Sequence, residues 1–345
     1  MTTQWRWVER YAQQFDACMV VPGETAVVLS ETTSRPSVVE TARLALESLG
    51  AAVVDVVLTT PANPGPVPIR STGASQAVAG NAAAIAALRA AAFVVDCTVE
   101  GLLHAPELGR ILEGGARVLM VSNEHPENVE RWPHDPSLAD RVATGVSMLE
   151  SAETMQVTSP AGTDLEVRLA GAVRAGSHGW CTEPGTIAHW PGGLVLAFPA
   201  AGSVNGTVVL APGDLNLTFK QYVRDRVSLT IVDDHITDIS GDGVDAQLFR
   251  SYLAAFDEPE AYAVSHVGWG MNSGARWDAL ALWDKGDVNG TEQRAFAGNF
   301  LYSTGANEVA GRFCRGHFDL PMRRCTVALD GEPVVSDGVL RADLS

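Results

Sequence analysis

The chain has 345 residues, 46% of them apolar and 19% charged, with a formal net charge of −17. Such a length predicts two domains around sizeable cores. The acidic balance excludes broad phosphate-backbone binding, which needs a basic surface, and disfavours anionic membranes.

In chain order, the first stretch, MTTQWRWVERYAQQFDACMVV, is charged and has no apolar run leading to a small-residue cleavage site. No segment is apolar for the length of a membrane span. The expectation is a soluble cytoplasmic protein. Thr25–Leu29 predicts a strand, Ser37–Leu49 a helix stopped by Gly50, and Ala52–Leu58 a second strand. A Pro/Gly loop follows at Thr60–Val67, then an alanine-rich helix at Asn81–Ala91. Phe93–Asp96 and Arg117–Val121 are predicted as buried strands around a short helix at Glu107–Glu113. Alternating strands and helices indicate a parallel sheet wrapped by helices, whose ligands gather beyond the strands' C-terminal ends. His104, in Glu100-Gly-Leu-Leu-His104, follows one such strand and so falls near a possible cleft.

After a helix at Ser137–Ser151 the pattern turns to strands. A hairpin is predicted at Met155–Leu169, turning at Pro160–Thr163, with strands at Val204–Leu210, Tyr222–Val232, His235–Ile239 and Arg324–Leu329. One helix fits Asp245–Phe256. The fold class expected is α/β. Residues 1–150 form an N-terminal α/β domain with a mainly parallel sheet, and residues 151–345 a C-terminal β-rich α+β metal-binding domain. The five scattered cysteines are odd in number and include no CxxC pair, which indicates reduced thiols. Asn205 and Asn289 head Asn-Gly-Thr triplets, which mean nothing without a secretory signal.

Four segments carry candidate chemistry. In Gly316-His317-Phe318-Asp319, extended backbone would put His317 and Asp319 on one face, able to hold a divalent metal or orient a base. A surface His beside a surface Asp fits equally, so the triplet decides nothing alone. Ser265-His266-Val267-Gly268-Trp269-Gly270 has glycines where the backbone turns or approaches something closely. Its spacing is not a dinucleotide fingerprint, and His266 also fits a core histidine. Gly298–Gly305 resembles it, with Ser303 inside and Arg294 upstream. The Pro/Gly-dense stretch Glu183–Gly206 reads as a shaped loop carrying Glu183 and His189. His125, His134, His178 and His235 are expected at the surface.

Taken in order, PGGLVLAFPAAGSVNGT, SHVGWGMNSGA, GNFLYSTGAN and GHFDLPMRRC resemble the aminopeptidase T family of metallopeptidases and its 2,5-dihydroxypyridine 5,6-dioxygenase branch. The N-terminal half is similar only in its α/β layout. Where the peptidases carry metal-binding glutamates, the resemblance puts Leu194 and His266 here, and where they carry a histidine it puts Leu301. Only the pair His317 and Asp319 is unchanged. What the resemblance leaves is His266, His317 and Asp319, a 2-His-1-carboxylate set that suits one Fe(II) with open positions. A two-metal hydrolase needs both ions.

The resemblance thus implies ring opening of 2,5-dihydroxypyridine by O₂ to N-formylmaleamate, a step of nicotinate breakdown, in a homo-oligomer. His104 is then the candidate general base. Glu183, His189, Arg294 and Ser303 are candidates for orienting the ring. The rival expectations are an aminopeptidase with an altered metal site and a non-enzymatic binding protein.

Overall fold

A computed structural model describes residues 3–62, 75–121 and 123–345. The first α/β half follows the sequence closely. Its elements are α1 (Trp5–Ala17), β1 (Thr25–Glu31), α2 (Pro36–Ser48), β2 (Ala52–Leu58), α3 (Ala82–Ala90), β3 (Phe93–Asp96), α4 (Leu108–Leu112), β4 (Arg117–Met120) and α5 (Ser137–Ser151). Pro36 opens α2, where a missing N–H costs nothing, and Gly50 follows its end at φ +78°. Asn81 caps α3 by accepting the Ala84 N–H at 3.0 Å. Most of the Pro/Gly loop expected at Thr60–Val67 lies outside the described residues.

The expectations left α1 unassigned. Its buried Trp7, Val8, Tyr11, Gln14 and Phe15 recur at helical spacing and cover one face of the sheet with α2. Ile85, Leu88 and Ile111, from α3 and α4, cover the other. Strands β3 and β4 are therefore buried on both faces, the usual state of parallel strands.

The second half contains β5 (Thr154–Thr158), β6 (Asp164–Arg168), β7 (Val173–Ser177), β8 (Ile187–His189), β9 (Leu194–Phe198), β10 (Val204–Leu210), β11 (Leu215–Asn216), β12 (Gln221–Tyr222), β13 (Val227–Val232) and β14 (His235–Ser240). It continues with α6 (Val244–Phe256), β15 (Val264–Gly270), α7 (Thr291–Ala295), β16 (Phe300–Asn307), β17 (Arg312–Met322), β18 (Thr326–Leu329), β19 (Glu332–Ser336) and β20 (Val339–Leu340). One antiparallel sheet runs β14-β13-β10-β6-β5-β18-β19-β20, and a second runs β17-β16-β15-β9-β7. Their shared core includes Leu165, Leu229, Phe249, Trp269, Phe300 and Phe318.

The structure redraws the expected boundary at residue 150. Helix α5 packs by Leu138, Val142 and Leu149 into the C-terminal core. Conversely, β8 pairs in parallel with β4, completing the order β2-β1-β3-β4-β8. The two halves are thus interlocked, and His189 at the end of β8 faces their junction. The strand expected at Tyr222–Val232 is also broken. The Asp245 carboxylate accepts the N–H groups of Arg224 and Asp225, diverting them from any ladder. Arg324, at φ +57°, lies before β18 rather than in it.

The largest difference is that the glycine-rich segments are strands. β15, β16 and β17 form the middle and edge of the second sheet. Among the histidines expected at the surface, His125 is buried and stacks on Trp283 with ring centroids 3.7 Å apart. His134, His178 and His235 are half-buried. All five cysteines are free. Among the described residues no helix is long and apolar enough to cross a membrane.

Candidate metal centre

Three adjacent strands present the cluster: β15 carries His266, β16 carries Ser303, and β17 carries His317 and Asp319. Ser303 lies directly across from Asp319, and Gly305 across from His317. A Cβ on Gly305, which sits at φ +112°, would meet the Gly316 carbonyl at 2.1 Å, so a bare backbone is required there. His317 and Asp319, two residues apart on one strand, project together. The Nε2 atoms of His317 and His266 lie 3.2 Å and 3.7 Å from Asp319 Oδ1.

His104 arrives from the other half, on the loop after β3. That loop is held by Asp96, whose carboxylate accepts the Thr98 N–H, the Thr98 hydroxyl and the Leu102 N–H. One ring nitrogen from each of His104, His266 and His317 lies within 4.8 Å of the others. The His104 and His317 rings stand 5.0 Å apart.

Burial dominates the electrostatics. It pushes His104 and His266 down to about 3, so both imidazoles are neutral. Burial alone would raise Asp319, but the neighbouring His317 ring and Arg294 guanidinium override it and hold the carboxyl well below its usual range. Arg294, on α7, donates Nε–H to Asp319 Oδ2 at 2.6 Å, while the Ser303 hydroxyl donates to Oδ1. The structure therefore gives Arg294 and Ser303 a task that the sequence did not indicate, orienting a carboxylate.

Two neutral imidazoles and an ionised carboxylate converge here, with a third imidazole beside them. Deprotonated ligands of this kind suit a divalent cation. Among the described residues the buried Nδ1 of His266 has no hydrogen-bond partner, as expected of a ring nitrogen awaiting a non-protein partner or a water. The residues present fit a metal.

A partly open cavity lies beside the cluster. Its polar wall includes Glu100, His189, Asn289, Thr291 and Arg294, and its apolar wall Leu103, Met120, Leu194, Leu196 and Leu301. This mixture of walls suits a small ring with polar substituents. His189 is buried, with Nδ1 2.9 Å from the Pro191 carbonyl. Because a carbonyl only accepts, Nδ1 carries the proton and Nε2 is left as an acceptor.

Glu183 does not join the site. It is exposed on the turn before β8, where its carbonyl accepts the Thr186 hydroxyl. Several lining residues escaped the sequence reading. Glu100 and Leu103 sit in the segment singled out for His104. Asn289 and Thr291 lie in a triplet set aside as a glycosylation match.

Residues 6–342 match the family model of NicX, 2,5-dihydroxypyridine 5,6-dioxygenase. A curated relative of that name from Pseudomonas putida KT2440 is 38% identical over 319 residues, covering 91% of this chain and 90% of the relative. The solved structure of 2,5-dihydroxypyridine dioxygenase from P. putida KT2440 superposes with a TM-score of 0.93 at 35% identity, covering 99% of both chains. Wild-type AmpT from Thermus thermophilus gives a TM-score of 0.64 at 14% identity, covering 97% of this chain and 99% of that one, a likeness of fold alone. The chain belongs to the 2,5-dihydroxypyridine 5,6-dioxygenase family.

Proposed function

We propose that this protein is a mononuclear non-haem Fe(II) dioxygenase that opens the ring of 2,5-dihydroxypyridine. The observation that carries the reading is the convergence of His266 on β15 with His317 and Asp319 on β17, across the intervening β16, beside a cavity with polar and apolar walls. Both oxygen atoms of O₂ enter the product, N-formylmaleamate, so no reductant is consumed.

His266, His317 and Asp319 hold the iron, all three from one rigid sheet, which fixes ligands better than loops do. When bound, Fe(II) supplies the one-electron chemistry that lets O₂ react with a closed-shell ring. His104 faces the ligands from the other half of the molecule. Its imidazole, held neutral by burial, accepts the proton of a substrate hydroxyl as the anion forming beside it raises its proton affinity, and the electron density of the ring rises. His189 Nε2 accepts a hydrogen bond from the ring's N–H or hydroxyl edge. Leu194, Leu196 and Leu301 pack on the ring face and keep water out. Arg294 and Ser303 act on the substrate through Asp319.

The test uses anaerobically reconstituted protein. One iron per chain is expected, lost in His266→Ala, His317→Ala and Asp319→Ala. His104→Ala is expected to keep its iron and lose about 10²–10⁴-fold in turnover, the usual share of a general base. An oxygen electrode should record uptake with 2,5-dihydroxypyridine, while a leucyl amide stays intact in the same sample. Loss of iron from His104→Ala would make that residue a ligand. Amide cleavage without O₂ uptake would reverse the functional reading.

A further inference from the structure

We propose that Glu124 is a positioning residue for the metal centre, acting from the N-terminal half through α7 and Arg294. The proposal rests on the reading of Asp319 as an iron ligand.

Glu124 lies on the loop after β4 and is 4% exposed. Its Oε1 accepts two N–H groups, Gly290 at 2.8 Å and Thr291 at 2.9 Å. These amides stand at the start of α7, where no helical carbonyl is available to them. Gly290 precedes the helix at φ +101° and has no side chain to cap it. A carboxylate from the other half of the molecule does what a local Ser or Asp usually does.

Helix α7 has five residues, too few to hold its own shape. It is pinned at two further points. Arg131, also from the N-terminal half, donates to the fully buried Glu292 at 2.5 Å. At the other end Arg294 donates to Asp319 Oδ2 at 2.6 Å, and its Nη1 reaches back to the Asn289 carbonyl at 3.3 Å. Glu124, the Gly290–Thr291 amides, α7, Arg294 and Asp319 thus form one continuous line of polar contacts.

Among the described residues Glu124 Oε2 is buried without a hydrogen-bond partner, so the contact rests on Oε1 alone. The geometry assigns Glu124 the task of setting where α7 starts, and so how Arg294 meets Asp319. Outer partners of this kind typically change metal affinity about 10- to 100-fold.

The experiment is a double-mutant cycle on the full chain, with the Fe(II) dissociation constant read anaerobically by chelator competition and apoprotein melting measured alongside. Glu124→Ala and Arg294→Ala are each expected to weaken iron binding about 10-fold or more. The double variant should be no weaker than Arg294→Ala alone, because the two act in series. Glu124→Gln should recover most of the affinity, since its amide oxygen can accept the same two N–H groups. Glu124→Asp, which withdraws the oxygen while keeping the charge, should behave like Glu124→Ala and serves if the alanine variant does not fold. Multiplying losses in the double variant, or a lowered melting point with unchanged iron affinity, would overturn the proposal and leave Glu124 as a tie. If Arg294→Ala bound iron normally, the line from Glu124 to Asp319 would carry nothing and the proposal would fall, whereas the ligand role of Asp319 is read separately from Asp319→Ala. A wild-type chain that bound no iron would refute the functional reading itself.

Discussion

Gly268→Ala should both destabilise the protein and loosen its metal, although it adds one methyl group and touches no ligand. Gly268 sits on β15 opposite Leu196 of β9 and Leu301 of β16. A Cβ there would lie 2.0 Å from the Val195 carbonyl oxygen and 2.9 Å from the Leu196 Cα. A comfortable carbon–oxygen approach is about 3.3 Å, so β9 would have to retreat by more than ~1 Å. The obstruction is ladder backbone, which cannot rotate aside as a side chain can. Overpacking costs about 1–3 kcal/mol where side chains can yield, and this site belongs at the upper end. At about 2–4 °C per kcal/mol for a large domain, the melting point should fall by roughly 5–10 °C. Ligand geometry tolerates displacements of only about 0.5 Å, and His266 is two residues upstream on the same strand. Iron affinity should therefore fall about 10-fold as well. Gly286→Ala is the control, because a Cβ there meets nothing within 4 Å. Calorimetry of the apoproteins and chelator competition provide the two readings. A Gly268→Ala protein that melted like the control would refute the close-approach argument, and one that melted early with normal iron affinity would refute its link to His266.

Two further variants probe the cavity. Asp96→Ala leaves three buried donors unpaired on the loop that delivers His104, a cost of about 1–3 kcal/mol. Turnover should fall at least ~10-fold with iron content unchanged, since general-base catalysis depends on placement, and a wild-type kcat would show that the loop holds itself. His189→Phe should weaken anaerobic binding of 2,5-dihydroxypyridine about 3- to 10-fold, the worth of one neutral hydrogen bond, and His189→Gln should restore part of it. Unchanged binding by the phenylalanine variant would remove His189 from recognition.

The N-terminal sheet was legible because each strand is a short β-branched run set between helical repeats. Ala52–Leu58 and Phe93–Asp96 begin and end where the residue pattern placed them. The sheet that carries His266, His317 and Asp319 was not legible as strands. Gly268, Gly270 and Gly305 are turn signals by local preference, and only the closeness of neighbouring backbone explains them in a sheet. Close approach is a tertiary fact. His317 and Asp319 could be paired from sequence because alternation along a strand needs no other element. His104 could be placed by the rule for strand exits, since its loop follows β3. Glu183 misled because a Pro/Gly-rich stretch marks a shaped loop without saying which side chains turn inward. The junction near residue 150 misled for another reason. β8 is three residues long and leaves almost no pattern, yet it crosses back into the first sheet.

A shared backbone decides little about chemistry on its own. The cavity lies where such a fold predicts, beyond the C-terminal ends of β3, β4 and β8, which bring His104, Met120 and His189 to face the second sheet. The strands of that second sheet can present different side chains from the same positions. Leu194 on β9 and Leu301 on β16 occupy the positions where the resemblance to the peptidases expects a glutamate and a histidine. A leucine can neither bind a cation nor move a proton, so each replacement removes a ligand. Each also adds apolar surface beside the ligands that remain. On the proposed reading, losing a second ion and building a dry face for an aromatic ring are one change. On that reading the backbone can stay as it is while a site for water between two metals gives way to a site for a ring beside one.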